Sequence, residues 1–340
     1  MSKYCFIFAS ELILKTYIMS KAIKKVHTLE MEAPQIEISA VAKEILSTHG
    51  LDWRINKLPL QGVQIVKDGD GDEVVVFRDT DDYGLFRSDN GVALATGFKK
   101  GYTVSQNDEI MEAVLRGSAG FGDLSVSKAG ALNEGRKIYI QLEIKGMSRV
   151  ANDDIKKFIT IIDSNDGSTG LSVGIGDLTM SCQNQFFRFY KAGQFKMRHS
   201  SAITAKIQEL PNLITIAMSE QMKLINAYKT FAKTPASTEL VNQWVKNLVG
   251  MDRRESLVKE NVTAKAINNM ENLYKHIEKE MDDKGGNLWG LHSGVTSWTT
   301  HEKQAPNRDN GRLESIMAGT NYRTNEASLN MALELVGIEL

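Results

Sequence analysis

Cysteine is nearly absent from this chain: Cys5 and Cys182 are the only two among 340 residues. Two thiols cannot supply a disulfide framework, and their scarcity fits a reducing compartment such as the cytoplasm. No Cys-x-x-Cys, His-x-x-x-His or clustered carboxylate–histidine spacing involves the six histidines, so neither a structural zinc site nor any other metal or cofactor is expected. Proline is scarce too, at five residues, and no Pro/Gly/Ser-rich stretch marks a linker. An excess of either charge is also missing: 41 Lys and Arg face 42 Asp and Glu, for a net charge of −1. The molecule as a whole therefore does not attract polyanions, and any nucleic-acid surface has to be local. There is no long hydrophobic run. The apolar first eighteen residues are broken by Glu11 and Lys15, which leaves them too short and too charged for a bilayer span, and no membrane partner is expected. Met19-Ser-Lys repeats Met1-Ser-Lys, so residues 1–18 read as an upstream in-frame extension outside the core.

What is present is an ordinary globular composition, 42% hydrophobic and 24% charged, whose periodicity changes near residue 200. Ile38, Val41, Ala42 and Ile45 recur at helical spacing before His49-Gly50. Two β-branched runs, Val63–Val66 and Glu73–Arg78, flank Asp68-Gly-Asp-Gly-Asp72. That Asp/Gly run lacks the closing Glu of a calcium loop, so a hairpin turn is expected there. A strand through Tyr102 and Val104 should lead into a helix capped by Ser105 or Asn107, with Ile110, Val114 and Leu115 buried. Strands are expected over 136–144, 157–162 and 171–180, with a turn at Asp163–Ser168 that places Gly167 at its tight position. From Ser201 the spacing is helical: 203–210, 213–231, 237–248 and 263–281. The expected fold class is α+β, an antiparallel β-rich core over residues 19–200 followed by a mainly helical half, 201–340, packed on it.

Chemistry concentrates in residues 182–199. Phe186, Phe187, Phe189, Tyr190 and Phe195 are interleaved with Arg188, Lys191, Lys196 and Arg198, and no acid lies between Phe186 and His199. Aromatic faces stack on bases, at about 1–3 kcal/mol per base, while Lys and Arg neutralise phosphates, which suits single-stranded nucleic acid. The same stretch also fits a hairpin about Ala192-Gly193 with Phe187 and Phe189 in the core, or a helix. The basic character continues: residues 184–233 hold eight cations, including Lys206, Lys223, Lys229 and Lys233, against Glu209 and Glu220. Residues 68–90 run the other way, with eight acids against Arg78 and Arg87.

Several phrases then line up in order: Val104-Ser-Gln-Asn107, Gly130–Arg136, Asn165-Asp-Gly-Ser168, Met180-Ser-Cys-Gln-Asn184, Arg198-His199, and Asn287–Thr296 with His301. In that order they resemble the phage/plasmid-like protein family, which carries the prophage-borne domain of unknown function 932. The resemblance extends over roughly residues 50–335. It departs from the family pattern at Thr179, at His292-Ser-Gly and at Thr300-His301. It implies a mobile-element context and DNA metabolism in a bacterial cytoplasm, without an established reaction.

Three functions stay open. The first is a single-stranded DNA-binding or annealing protein using Arg188, Lys191, Lys196, Arg198, Phe187 and Tyr190, assembling as a homo-oligomer. The second is a phage structural or host-interaction protein without catalysis. The third is a hydrolase using Cys182, Asn184 and His199, because a thiol nucleophile needs a base and a residue to orient it. Packing is the competing role for Cys182, since cysteine is among the most often buried residue types. Trp289, His292, Thr296, Trp298, His301 and Glu302 read either as a helix docked on the core or, with His276, as a partial metal set. Gly130–Arg136 lacks the Gly-Lys-Ser/Thr ending of a phosphate loop and reads as a turn into a strand.

Overall fold

The β-branched runs pair largely in chain order. In the computed structural model, which describes residues 39–119, 121, 123–189, 196–249 and 264–340, helix Ala40–Thr48 (α1) precedes a three-stranded antiparallel sheet. Its strands are Ile55–Lys67 (β1), Glu73–Arg87 (β2) and Ala93–Phe98 (β3). The expected hairpin joins β1 and β2. In its turn the Asp68 carboxylate accepts the amide N–H groups of Asp70 and Asp72, each at 3.0 Å, so the acidic run closes on itself.

Residues 102–106 are irregular rather than the expected strand. The strand they would extend is satisfied otherwise: the Gln106 side chain bonds both the N–H and the C=O of Ile55. The helix that follows, Asn107–Ala119 (α2), buries Ile110 and Val114 as expected and half-buries Leu115. Ser105 and Asn107 do not cap it. The Asn107 amide donates to the carbonyls of Leu51 and Trp53, and Ser105 is engaged with a distant carboxylate.

The second sheet is antiparallel, with Leu124–Leu132 (β4), Lys137–Val150 (β5), Asp153–Ser164 (β6), Leu171–Thr179 (β7) and Gln185–Phe189 (β8) in spatial order. Gly167, at φ +72°, takes the left-handed position in the turn between β6 and β7. The short strand Lys196–Met197 (β9) also pairs with β7. Phe189 lies opposite Gly174 and Lys196 opposite Ser172. So β8 and β9 follow one line along the same edge of β7, and do not pair with each other as the two arms of a hairpin about Ala192-Gly193. Residues 190–195 lie outside the described residues.

Helices Ile203–Ile207 (α3), Leu210–Phe231 (α4), Thr238–Val249 (α5), Ala264–Lys284 (α6), Leu288–His301 (α7), Gly311–Ala318 (α8) and Thr320–Val336 (α9) follow. Because side chains alternate across a strand, the second sheet feeds two cores. Ile140, Ile159, Ile161, Val173, Ile175 and Phe186 join a large core shared with α2, α4, α6 and α7. Tyr139, Ile162 and Phe187 point the other way and pack with Ile316, Met317 and Tyr322 from α8 and α9. The class is α+β, with antiparallel sheets in residues 55–189 and mostly helices in 203–336.

Helix α7 is buried along its whole length from Leu288 to Thr300, so it reads as a core helix, not an amphipathic one. At Gly294 a Cβ would fall 2.5 Å from the Ile277 Cα and 2.7 Å from its Cγ1, so α6 and α7 touch almost backbone to backbone. Gly294→Ala is expected to cost about 1–3 kcal/mol by overpacking, seen as a lower urea midpoint at unchanged slope. An unaltered midpoint would mean that the two helices can separate without loss.

Candidate functional site

Three segments distant in sequence meet at one end of the second sheet: the loop Tyr102–Gln106, the turn after β6, and the residues that follow β9. Ser105 donates its hydroxyl to Asp163 Oδ2 at 2.5 Å. His199 Nε2 lies 2.8 Å from Asp163 Oδ1, and its Nδ1 lies 3.3 Å from the Thr103 carbonyl oxygen. Nδ1 also lies 3.4 Å from Ser105 Oγ; with that hydroxyl proton given to Asp163, all three oxygens accept, so an imidazole protonated on both nitrogens satisfies the arrangement. Burial pulls the His199 pKa down, but the hydrogen bond and charge of Asp163, with the Thr103 carbonyl, outweigh it and hold the group above its usual value. The Tyr102 ring stacks on His199 at 5.1 Å and 9°, and Phe98 packs on Tyr102 at 4.2 Å. Burial, reinforced by the charges of Asp163 and Asp166, pushes the Tyr102 phenol up.

This constellation is a clamp rather than a nucleophile centre. Ser105 is 0% and Asp163 1% exposed, and although Ser105 Oγ lies 3.4 Å from His199 Nδ1, its proton goes to the carboxylate at 2.5 Å, so burial and that bond both oppose a nucleophilic role. What the clamp does is fix three loops. Beside it Lys100, just before the first loop, Lys196 in β9 and Arg198 after β9 are exposed, and Lys206 follows on the exposed side of α3. Among the described residues no carboxylate is ion-paired with these four, whereas Lys99 is held by Asp82 at 2.6 Å.

The other end of β7 carries Cys182. Leu171 to Thr179 is eight residue steps of strand, so His199 and Cys182 are separated by about 26 Å at roughly 3.3 Å per residue. Asn184 lies at the Cys182 end. Its amide donates to Glu280 Oε1 at 3.1 Å and to the Ser293 carbonyl at 3.3 Å, and its oxygen lies 3.2 Å from His301 Nε2. The set Cys182, Asn184 and His199 is thus not brought together. Burial first, then the charge of Glu280, raises the Cys182 thiol, the opposite of what a reactive thiolate needs. Asp153 is the hub here: it accepts from Lys284 Nζ at 2.6 Å, Trp289 Nε1 at 2.8 Å and Ser181 Oγ at 2.7 Å. An open polar cleft of about 620 Å³ lies over this network, lined by Cys182, His276, Glu280, Lys284 and His301 among others.

The remaining C-terminal candidates divide. His276 bonds Glu302 at 2.8 Å and Ser297 at 2.9 Å. His292 sits among Phe186, Tyr228, Phe231 and Trp289, where burial lowers its pKa to about 3. Among the described residues no group of three or more His, Cys, Asp or Glu is placed to hold a metal ion.

The basic-aromatic segment is distributed between core and surface. Phe186 and Phe187 are 1% and 2% exposed, on opposite faces of the sheet, and Phe189 is half-buried against Tyr322. Phe187 therefore offers no ring face to a base. Arg188 donates to the Asn330 side chain and to the Leu340 backbone oxygen. Tyr190 and Lys191 lie outside the described residues, and Lys196 and Arg198 are exposed. The cations further along are split by helix α4, whose start packs Pro211 against Gly117 and whose end joins Tyr228 to Asp177 at 2.9 Å. Lys206 follows His199 by seven residues, whereas Lys229 lies beside Lys157 toward the Asp177 end, and Lys223 is paired with Glu220. Sequence reasoning singled out neither Ser105 and Asp163 nor Asp153, Glu280 and Lys284 as site residues. The ordered phrases Val104–Asn107, Asn165–Ser168 and Arg198-His199, which the fold brings together, were the available signal for the first pair.

Two antiparallel sheets, the second with helices on both faces, together with one clamped end and one polar cleft, define an α+β protein. The family described as Domain of unknown function (DUF932) matches residues 96–333, and the chain belongs to that family. No curated protein and no solved structure matches it.

The His199–Asp163 pair carries a pH signature. Unfolded histidine titrates near 6.5, and the folded pKa is higher. The stabilisation is therefore complete below about pH 6.5 and is lost as pH rises through the folded value. The thermal midpoint of the wild type should exceed that of His199→Gln by more at pH 6 than at pH 8.5. A gap that stays constant or widens with pH would show that the imidazole is neutral in the fold.

Proposed function

We propose that this protein binds single-stranded nucleic acid along its clamped loop end, as a non-catalytic binding or annealing factor of DNA metabolism. Such a role accords with the resemblance to phage- and plasmid-borne proteins and with work in a bacterial cytoplasm. The observation that supports it is the exposed set Lys100, Lys196, Arg198 and Lys206, without ion-paired carboxylates among the described residues, on segments that flank one buried clamp. Exposed cations on converging segments suit a phosphate backbone, which imposes charge but no fixed side-chain shape. With Phe186 and Phe187 in the cores, binding would rest on phosphate contacts and be indifferent to sequence. Hydrolysis through Cys182 is disfavoured by its raised thiol pKa and its separation from His199.

Four phosphate contacts predict a plot of log affinity against log salt with a slope of about −3 for single strands. Gel-shift titration with a single-stranded oligonucleotide at two or more salt concentrations measures it. The double variant Lys196→Glu/Arg198→Glu should lose at least about tenfold in affinity, while Lys223→Glu on the far half of α4 should behave as wild type. Binding that ignores salt, or a double variant as tight as wild type, would refute the proposal.

A further inference from the structure

The β1–β2 hairpin continues beyond the body of the molecule as a two-stranded arm. Strand β3 pairs with β2 only from Tyr83 onward, so among the described residues the rungs from Gln61 opposite Asp79 to Lys67 opposite Glu73 have no third strand. A lone two-stranded ribbon is marginally stable in water, and this one exposes apolar side chains in register. Val63 is 58% exposed, Ile65 61% and Phe77 45%. Val63 lies opposite Phe77, and Ile65 lies opposite Val75. Strand alternation puts these four on one face, an apolar patch of the kind that marks an interaction surface. Along the ribbon the patch is bracketed by Lys67 and Glu73 at one end and by Gln61 and Asp79 at the other.

We propose that the occupant of this face is the same face of a second copy of the chain, related by a two-fold axis running along the arm. Such an axis exchanges β1 and β2 across the interface, so each residue meets the copy of its own cross-strand partner. Val63 then meets Phe77 of the partner subunit, and Ile65 meets Val75 of the partner subunit. Lys67 meets Glu73 of the partner subunit, and the reverse, which gives two interchain ion pairs. Gln61, whose amide donates to Asp79 of its own chain at 2.6 Å, lies across from Asp79 of the partner subunit. The face is thus complementary to itself in both apolar shape and charge, which an unrelated partner would have to match independently. The net charge of −1 adds little long-range repulsion between copies. This inference is independent of nucleic-acid binding, since the arm carries none of the four cations proposed for it.

The test uses the full chain and its state of association across a concentration series, followed by light scattering after size exclusion and by native mass spectrometry. Wild type should dimerise. Ile65→Thr/Phe77→Thr, which keeps β-forming residues at exposed positions, should be monomeric with an unchanged circular dichroism spectrum. Lys67→Glu alone and Glu73→Lys alone should each weaken self-association, because like charges then meet twice. Mixed together they should form a heterodimer preferred over either homodimer by up to about tenfold, since both pairs are restored across the interface. An ion pair confined within one chain would give no such preference. A wild type that stays monomeric, threonine variants that dimerise like wild type, or a mixture without heterodimer enrichment would each overturn the proposal. Lost nucleic-acid binding with intact dimerisation would count against the loop-end site alone.

Discussion

Burial of β7 on both faces is the constraint on which the rest of the structure depends. Eight of the nine residues from Leu171 to Thr179 are buried, and antiparallel strands in that position need cover above and below. The large core with α2, α4 and α7 supplies one cover, and α8 with α9 supplies the other. The strand paired along its edge must then send alternate side chains into both layers. That is why Phe186 and Phe187, adjacent in sequence, end in different cores, and why a segment with the composition of a nucleic-acid ligand is spent largely on packing.

The same strand separates the two polar centres. At one end, Asp163 gathers Ser105 and His199 and makes a rigid base for exposed cations. At the other, Asp153 gathers Lys284, Trp289 and Ser181 beneath an open cleft. Each carboxylate is nearly fully buried and is tolerated because it is bonded at both oxygens. The two centres look alike as hydrogen-bond networks and differ in what surrounds them. One is flanked by exposed cations; the other mixes charges and sets turn residues such as Asn152 and Cys182 against helices α6 and α7.

Most strands were legible in the sequence because β-branched alternation and Asp/Gly turns are local signals. The hairpin at Asp68–Asp72, the turn at Gly167 and the helical second half follow from such signals. What escaped was long-range. Nothing within a few residues of Tyr102 reveals that Ile55 would take its hydrogen bonds from the Gln106 side chain, so a strand was expected there. Nor does Lys284, in a charged helical stretch, announce that its ammonium is buried against Asp153, 131 residues earlier. The candidate site was half legible: Lys196, Arg198 and His199 stood out by composition, whereas Ser105 and Asp163 acquire meaning only when three loops converge.

The bonds to Asp153 also bear on the order of assembly. From β4 to β8 each strand pairs with its neighbour in sequence, so the sheet can form from local contacts with little loop-closure cost. Its large apolar face and the Asp153 carboxylate complete their sets of partners only when α4, α6 and α7 have been made, since Lys284 and Trp289 lie more than 130 residues downstream. During synthesis from the N-terminus, the completed sheet therefore waits at the ribosome with only α2 against one face and, until α8 and α9 are made, the other face bare. That interval, rather than any weakness of the finished molecule, is when this protein is most open to aggregation and most dependent on chaperones.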